Sequence, residues 1–277
     1  MEDVARLQAR IASLRELRGL FRAMRALAAA HMQEADAALG AIGRYAAVVE
    51  GAIGKTTALV GDGLDPLPPA AGTPEGADWL VVVLSEHGFT GALDRRLLDL
   101  AERERGAARL GLVGRRGAAA AAERGIEPAW SLPMATRVGG VLALARAVAV
   151  AVADGARVRI VHARPDRAGF AVAVRPVLPL DPALLADGRD GAAVLHHLDP
   201  AALLQGLTGE YLLAEIAFAL MQALASENGA RLWTMQQADR NIDDRLTGLV
   251  RAERAGRQEA VTAELLDVVT GADAVMH

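Results

Sequence analysis

All eleven prolines of this 277-residue chain lie between Pro66 and Pro200. Proline inside a helix costs about 3 kcal/mol, because it removes a backbone donor and crowds the preceding turn. Residues 1–65 and 201–277 are therefore the stretches that can run as long uninterrupted helices. The first has the pattern to do so. Positions 4, 7, 11, 14, 18, 21, 25, 28, 32, 35, 39 and 42 alternate three- and four-residue steps and are apolar except at Arg18 and Arg25. That is a seam of period 3.5, the pattern of a coiled coil.

At the other end, Thr208 reads as a helix N-cap with Glu210 in the first turn. It is preceded by a short helical turn that begins at Asp199-Pro200, a cap residue followed by proline at the first helical position. Apolar positions then recur through Leu213, Ile216, Leu220, Leu224, Met235, Ile242, Leu246, Leu249, Val261, Leu265 and Val268. Between 227 and 260 the seam is patchier and carries Glu227, Arg231 and Asp239. Gly229, Gly248 and Gly256 each weaken an isolated helix by about 1 kcal/mol relative to alanine. Such a helix needs a partner.

The middle changes character. Residues 58–77 are rich in proline and glycine and read as a linker. Short apolar runs then alternate with helical ones. Strands are expected at Trp79–Leu84, Arg109–Val113, Arg157–His162 and Phe170–Val177. Helices are expected at Gly91–Arg105, Gly117–Arg124 and Val138–Asp154. This alternation predicts a small, partly parallel, Rossmann-like α/β sheet.

Geometry then limits the architecture. Helices over residues 3–57 and 209–270 would span about 80 Å and about 90 Å. A central domain of about 120 residues has a radius of gyration near 14 Å. It cannot cover either seam along its whole length, so each helix is expected to cover the other. The expected organisation is an N-terminal helix at 1–57, a linker at 58–77, an α/β domain at 78–198 and a C-terminal helix at 199–277. The two end helices form an antiparallel, left-handed coiled coil.

Composition excludes several classes of chemistry. A net charge of −4 is not the basic excess of a general nucleic-acid binder. With no cysteine there is no disulfide framework, thiolate metal site or cysteine nucleophile. The longest apolar stretch, Val141–Ala153, is interrupted by Arg146 and falls short of the roughly 20 residues of a membrane span.

Gly54-Lys55-Thr56 resembles the end of a phosphate-binding loop. Val49, however, stands where that loop needs its first glycine, and a helix rather than a strand precedes it, so a fraying helix end is the better reading. In the loop Ser85–Asp94, a catalytic use of His87 with Glu86 and Ser85 competes with a structural or docking turn. The turn is favoured, because adjacent loop residues do not ordinarily make a triad. His196-His197 with Asp199 lacks metal-site spacing. No catalytic residue, cofactor or metal is therefore expected. Arg15, Arg18, Arg22 and Arg25 share one helix face, either as a solvated charged face or as a docking stripe for an acidic partner.

In combination, these residues resemble the gamma subunit of F-type rotary ATP synthases. The likeness is carried by Ala225-Ser226-Glu227, Ala230-Arg231-Leu232, Met235 and Asp239-Arg240-Asn241. Further along it is carried by Arg257-Gln258, Val261-Thr262, Glu264-Leu265-Leu266 and Gly271-Ala272. The N-terminal share is Arg10-Ile11 with Ser13, then Arg22-Ala23-Met24-Arg25 and the alanine-rich turn after it. The middle share is the Ser85–Asp94 loop. The blocks recur in order over nearly the whole chain. His31, Thr90, Glu253-Arg254 and the acidic start at Glu2 and Asp3 depart from the family pattern. They point to a divergent branch, a sodium-translocating one included, and leave the coupling ion open between proton and sodium.

The resemblance implies a non-catalytic rotor shaft that couples ATP synthesis or hydrolysis to ion translocation. Its implied partners are three alpha and three beta subunits, an epsilon subunit and a ring of c subunits. The implied place is peripheral, on the cytoplasmic face of a bacterial plasma membrane. Carried over by position, Arg231, Arg257, Gln258 and Thr262 would meet the catch loops of beta. Arg22, Met24 and Arg25 would meet its acidic lever. The rival expectations are a small-molecule α/β enzyme or sensor that dimerises through a coiled coil, and a coiled-coil adaptor of another machine.

Overall fold

The run Trp79-Leu80-Val81-Val82-Val83 has no polar alternation, so it must be buried on both faces. It forms the centre of a five-stranded sheet in the computed structural model, which describes residues 2–60, 76–166, 169–186 and 196–275. The elements, in chain order, are α1 (Glu2–Val60), β1 (Ala77–Val83), α2 (Leu93–Arg105), β2 (Arg109–Val113), α3 (Arg115–Glu123), β3 (Trp130–Leu132), α4 (Val138–Ala151), β4 (Gly155–Asp166), β5 (Gly169–Leu178), α5 (Pro182–Ala186) and α6 (Pro200–Val275). Of the linker expected at 58–77, residues 61–75 lie outside the described residues, as does His277.

By contacts the chain divides into two compact units. One holds residues 28–231 and the other residues 1–27 with 232–277. In the larger unit the strand order is β3-β2-β1-β4-β5. β1 pairs in parallel with β2 and β4, and β2 with β3, while β5 runs antiparallel to β4. The two-residue period of β1 divides its side chains between the faces. Trp79, Val81 and Val83 join a cluster with Val141, Ala145 and Val148 of α4, Val49 and Ile53 of α1, and Ile216, Leu220 and Leu224 of α6. Leu80 and Val82 join Leu93, Leu97 and Leu98 of α2.

Within this unit α1 and α6 also meet each other. A Cβ at Gly43 would stand 3.9 Å from the Phe218 ring, and one at Gly229 would stand 3.5 Å from Met32 Sδ. Tyr45 donates to Glu210 at 2.5 Å. The smaller unit is a helix pair. Gln8 donates to Glu253, Arg18 to Asp239, and Ile11 packs with Ile242 and Leu246. As numbers rise along α1 they fall along α6, so the two helices are antiparallel in each unit.

Three local expectations change. Thr208 does not cap a helix, because α6 already begins at Pro200. Asp199, the cap expected ahead of Pro200, does cap it, its Oδ2 accepting from the backbone N–H of Ala201 and of Ala202. Thr208 sits inside the helix and donates its hydroxyl to Leu204 O at 2.8 Å. The Gly54-Lys55-Thr56 segment is packed helix rather than a fraying end. Ile53 is fully buried, and the Thr56 hydroxyl donates to Ala52 O. The third strand, Trp130–Leu132, has no counterpart in the sequence pattern.

Candidate functional site: a sealed sheet edge and an arginine seam

Parallel α/β sheets bind ligands beyond the carboxyl ends of their strands. Here that edge is occupied by the chain's own carboxylates. Asp94 accepts from the Ser85 N–H at 2.8 Å and from its hydroxyl at 2.6 Å. Glu86 is 6% exposed and accepts from the backbone N–H of Arg115 at 3.0 Å and of Met134 at 2.8 Å, and from the Arg115 guanidinium. Burial alone would push the Glu86 carboxyl up. The two backbone N–H donors and the Arg115 charge outweigh it and hold the group below the usual range. Gly114 closes the edge on the β2 side. Its φ is +106°, and a Cβ there would meet Leu84 O at 2.4 Å.

The Ser85–Asp94 loop is also tied to α6. Glu227 accepts from the N–H groups of Glu86 and His87 at 3.1 and 3.2 Å. Arg231 pairs with Glu227 one turn earlier and donates to Gly88 O and Asn228 Oδ1. This latch holds Phe89 at a φ of +64°, a conformation few bulky residues adopt, with its ring 55% exposed. His87, Glu86 and Ser85 do not form a catalytic set. Each of the last two is spent on a structural partner, and His87 is exposed.

A second tie joins β5 to α6. Arg175 holds Glu215, which is 1% exposed, through two guanidinium nitrogens. Burial, then the charges of Glu215 and Glu50, push the nearby Tyr211 phenol up to about 12.

In the helix-pair unit, the arginine stripe gathers on one carboxylate. Arg18 Nε lies 2.9 Å from Asp239 Oδ1, and its Nη1 lies 2.7 Å from Asp243. Arg22 and Arg25 approach the same Asp239 at 3.4 and 3.6 Å. The Arg18 hydrogen bond, against a smaller cost of burial, and the three guanidinium charges hold the Asp239 carboxyl below its ordinary range.

Of the residues expected to meet partners, Arg22 and Arg25 are thus brought together. Met24 is half-buried beside them. Arg257, Gln258 and Thr262 lie on neighbouring turns of α6 and are exposed. Arg257 pairs with Glu253, and the Thr262 hydroxyl donates to Gln258 O. Arg231 differs from the other six, since its side chain is 11% exposed and its donors point into the loop. Sequence reasoning missed Asp239 and Glu227 as partners of these arginines. The signal was the charge each places in an otherwise apolar seam.

A family model described as ATP synthase matches residues 3–275. The chain belongs to the ATP synthase family. It is 29% identical to the ATP synthase gamma chain of Moorella thermoacetica, over 99% of this chain and all of the relative. It is 28% identical to that of Paracoccus denitrificans over the same shares. Its fold resembles a chain of the Euglena gracilis mitochondrial ATP synthase, with a TM-score of 0.65 at 13% identity over 100% of this chain and 95% of that one. It also resembles a chain of the Tetrahymena thermophila central stalk and c-ring structure, with a TM-score of 0.55 at 20% identity over 79% and 99%. The role is that of a gamma-type shaft subunit of the rotary complex, which is peripheral to the membrane and does no catalysis itself. The membrane question also bears on α6, which contains a window of mean hydropathy 1.2. Since 67% of that window is buried inside the protein, its apolar surface serves a core.

Proposed function

We propose that the paired α1 and α6 segments turn inside a ring of three alpha and three beta subunits. The sheet domain serves as the base toward epsilon and the c-ring, on the cytoplasmic face of the plasma membrane. One observation carries this reading beyond family membership. The helix-pair unit buries a thin seam and leaves large apolar residues outside, among them Leu20 at 55%, Leu27 at 57% and Trp233 at 63% exposure. Apolar surface of that kind on a two-helix unit calls for a surrounding sleeve. The exposed Arg257, Gln258 and Thr262 would touch the beta catch loops, and Arg22, Met24 and Arg25 the acidic beta lever. Arg231 would meet the same catch loops while its other donors brace the Ser85–Asp94 loop. The segments 1–57 and 199–277 supply the shaft, and 78–198, joined through 58–77, the base.

The test is co-purification. A tagged copy expressed with its neighbouring ATPase genes should bring down alpha and beta in a three-to-three-to-one ratio with this chain. A stable homodimer that binds a small molecule and recovers no ring subunits would instead support the sensor reading.

A further inference from the structure

The arginine cluster is unbalanced. Arg18, Arg22 and Arg25 converge on Asp239, with Asp243 reached by Arg18 alone. The three contacts differ in kind. Arg18 makes a hydrogen bond to Asp239 at 2.9 Å and an ion pair with Asp243 at 2.7 Å, and is 26% exposed. Arg22 and Arg25 stand at 3.4 and 3.6 Å and are 52% and 41% exposed, which makes them outer-sphere ions rather than bonded ones. If Arg22 and Arg25 swing away, Asp239 keeps its bond to Arg18 and is not stranded. If Asp239 is absent, the two outer guanidiniums have no other ion-pair partner among the described residues.

We propose that Asp239 is an exchangeable internal counterion that holds Arg22 and Arg25 in place and competes for them with an acidic segment of a surrounding subunit. An incoming carboxylate replaces one loose ion pair with another. The net gain is small, and the contact can be made and released as the shaft turns. Charge complementarity fixes the chemistry of the occupant. Arg22 and Arg25 carry the excess positive charge of the cluster, and Arg15, on the same face, has no ion pair among the described residues. A guanidinium favours planar carboxylates over other anions of similar size. This inference rests on the shaft reading but assigns Asp239 a role that reading does not require.

The direction of the effect is diagnostic. A merely structural ion pair loses binding when it is broken, whereas a competing counterion gains it. The probe is a dye-labelled hexaglutamate peptide, titrated into the full chain at low ionic strength and followed by fluorescence anisotropy. Wild type should bind weakly, with affinity falling as salt rises. D239N should bind roughly fivefold tighter, the scale of losing one or two exposed ion-pair competitors. The paired change R18Q with D239N removes the competitor without stranding Arg18 in the seam, and should show the same gain if D239N alone unfolds the helix pair. R22A with R25A should abolish binding. Unchanged or weaker binding by the Asp239 variants at wild-type helicity overturns the proposal, as does the absence of binding by both wild type and D239N. Either result leaves recovery of the ring subunits by the tagged chain as a separate outcome, so a failure here is distinct from a failure of the shaft reading.

Discussion

Glu86 is an acid in a protein core, tolerated because its oxygens are answered by two backbone N–H groups and a guanidinium. Its folded pKa lies below the unfolded value, so the native state binds this proton less readily than the unfolded chain does. The resulting stability is present above the unfolded pKa near 4.5 and is lost as pH falls through the lower folded value. We expect Glu86→Gln to cost about 1–3 kcal/mol at neutral pH, because an amide answers two N–H donors and a guanidinium less well than a carboxylate. It should also flatten the acid limb. Urea melts at neutral pH and at a pH just below the unfolded value would show the gap between wild type and variant narrowing with acidity. None of this was legible in the sequence. Glu86 drew notice only as a neighbour of His87. Glu227, which holds the Glu86 backbone N–H, is 141 residues away, and no local pattern reports a pairing of that separation.

At the scale of elements, legibility followed periodicity. The N-terminal seam was readable because its 3.5-residue period holds wherever the partner helix or the sheet covers it. Ile11, Ala28 and Ala35, all seam positions, are buried. The β1 strand was readable because a run buried on both faces has no alternative. The strand Trp130–Leu132 was not, since the four residues between Pro128 and Pro133 are too few to show a period. Its place is fixed instead by Gly111, where a Cβ would fall 2.1 Å from the Trp130 ring. The start of α6 at Asp199-Pro200 was legible, but Thr208 was misread as a further cap because it is a good cap residue in isolation and Gly206 and Gly209 flank it. Tertiary burial of Leu204 and Tyr211 overrides both glycines. Since Asp199 is the real cap, Asp199→Ala should cost about 1 kcal/mol. The loss should appear as faster hydrogen exchange at Ala201 and Ala202, with the amides beyond Thr208 unchanged. Faster exchange throughout α6 would mean that the cap governs the whole helix and not its first turn.

At the scale of the molecule, both long helices pass through both compact units, so each helix serves two kinds of contact along its length. In the larger unit α1 and α6 share a core with the sheet, and their polar residues are spent on internal ties such as Glu227 with Arg231 and Glu215 with Arg175. In the helix-pair unit the buried seam is narrow and the outward residues have few internal duties. A residue's duty therefore depends on its unit. Arg231 and Arg257 were expected to act alike, yet the first is 11% exposed inside a latch and the second 62% exposed beside Glu253. Arg257→Ala with Gln258→Ala removes only an exposed i,i+4 pair from the isolated chain, a loss of under about 0.5 kcal/mol. Its melting temperature and helicity should stay at wild-type values. In the assembled complex the same pair is expected to lower coupled ATPase activity by about tenfold, equivalent to roughly 1.4 kcal/mol of lost contact in the rate-limiting state. Turnover assayed beside circular dichroism separates the two effects. Full coupling with both side chains removed would take Arg257 and Gln258 out of the moving interface and leave the apolar exterior of the helix pair to make it.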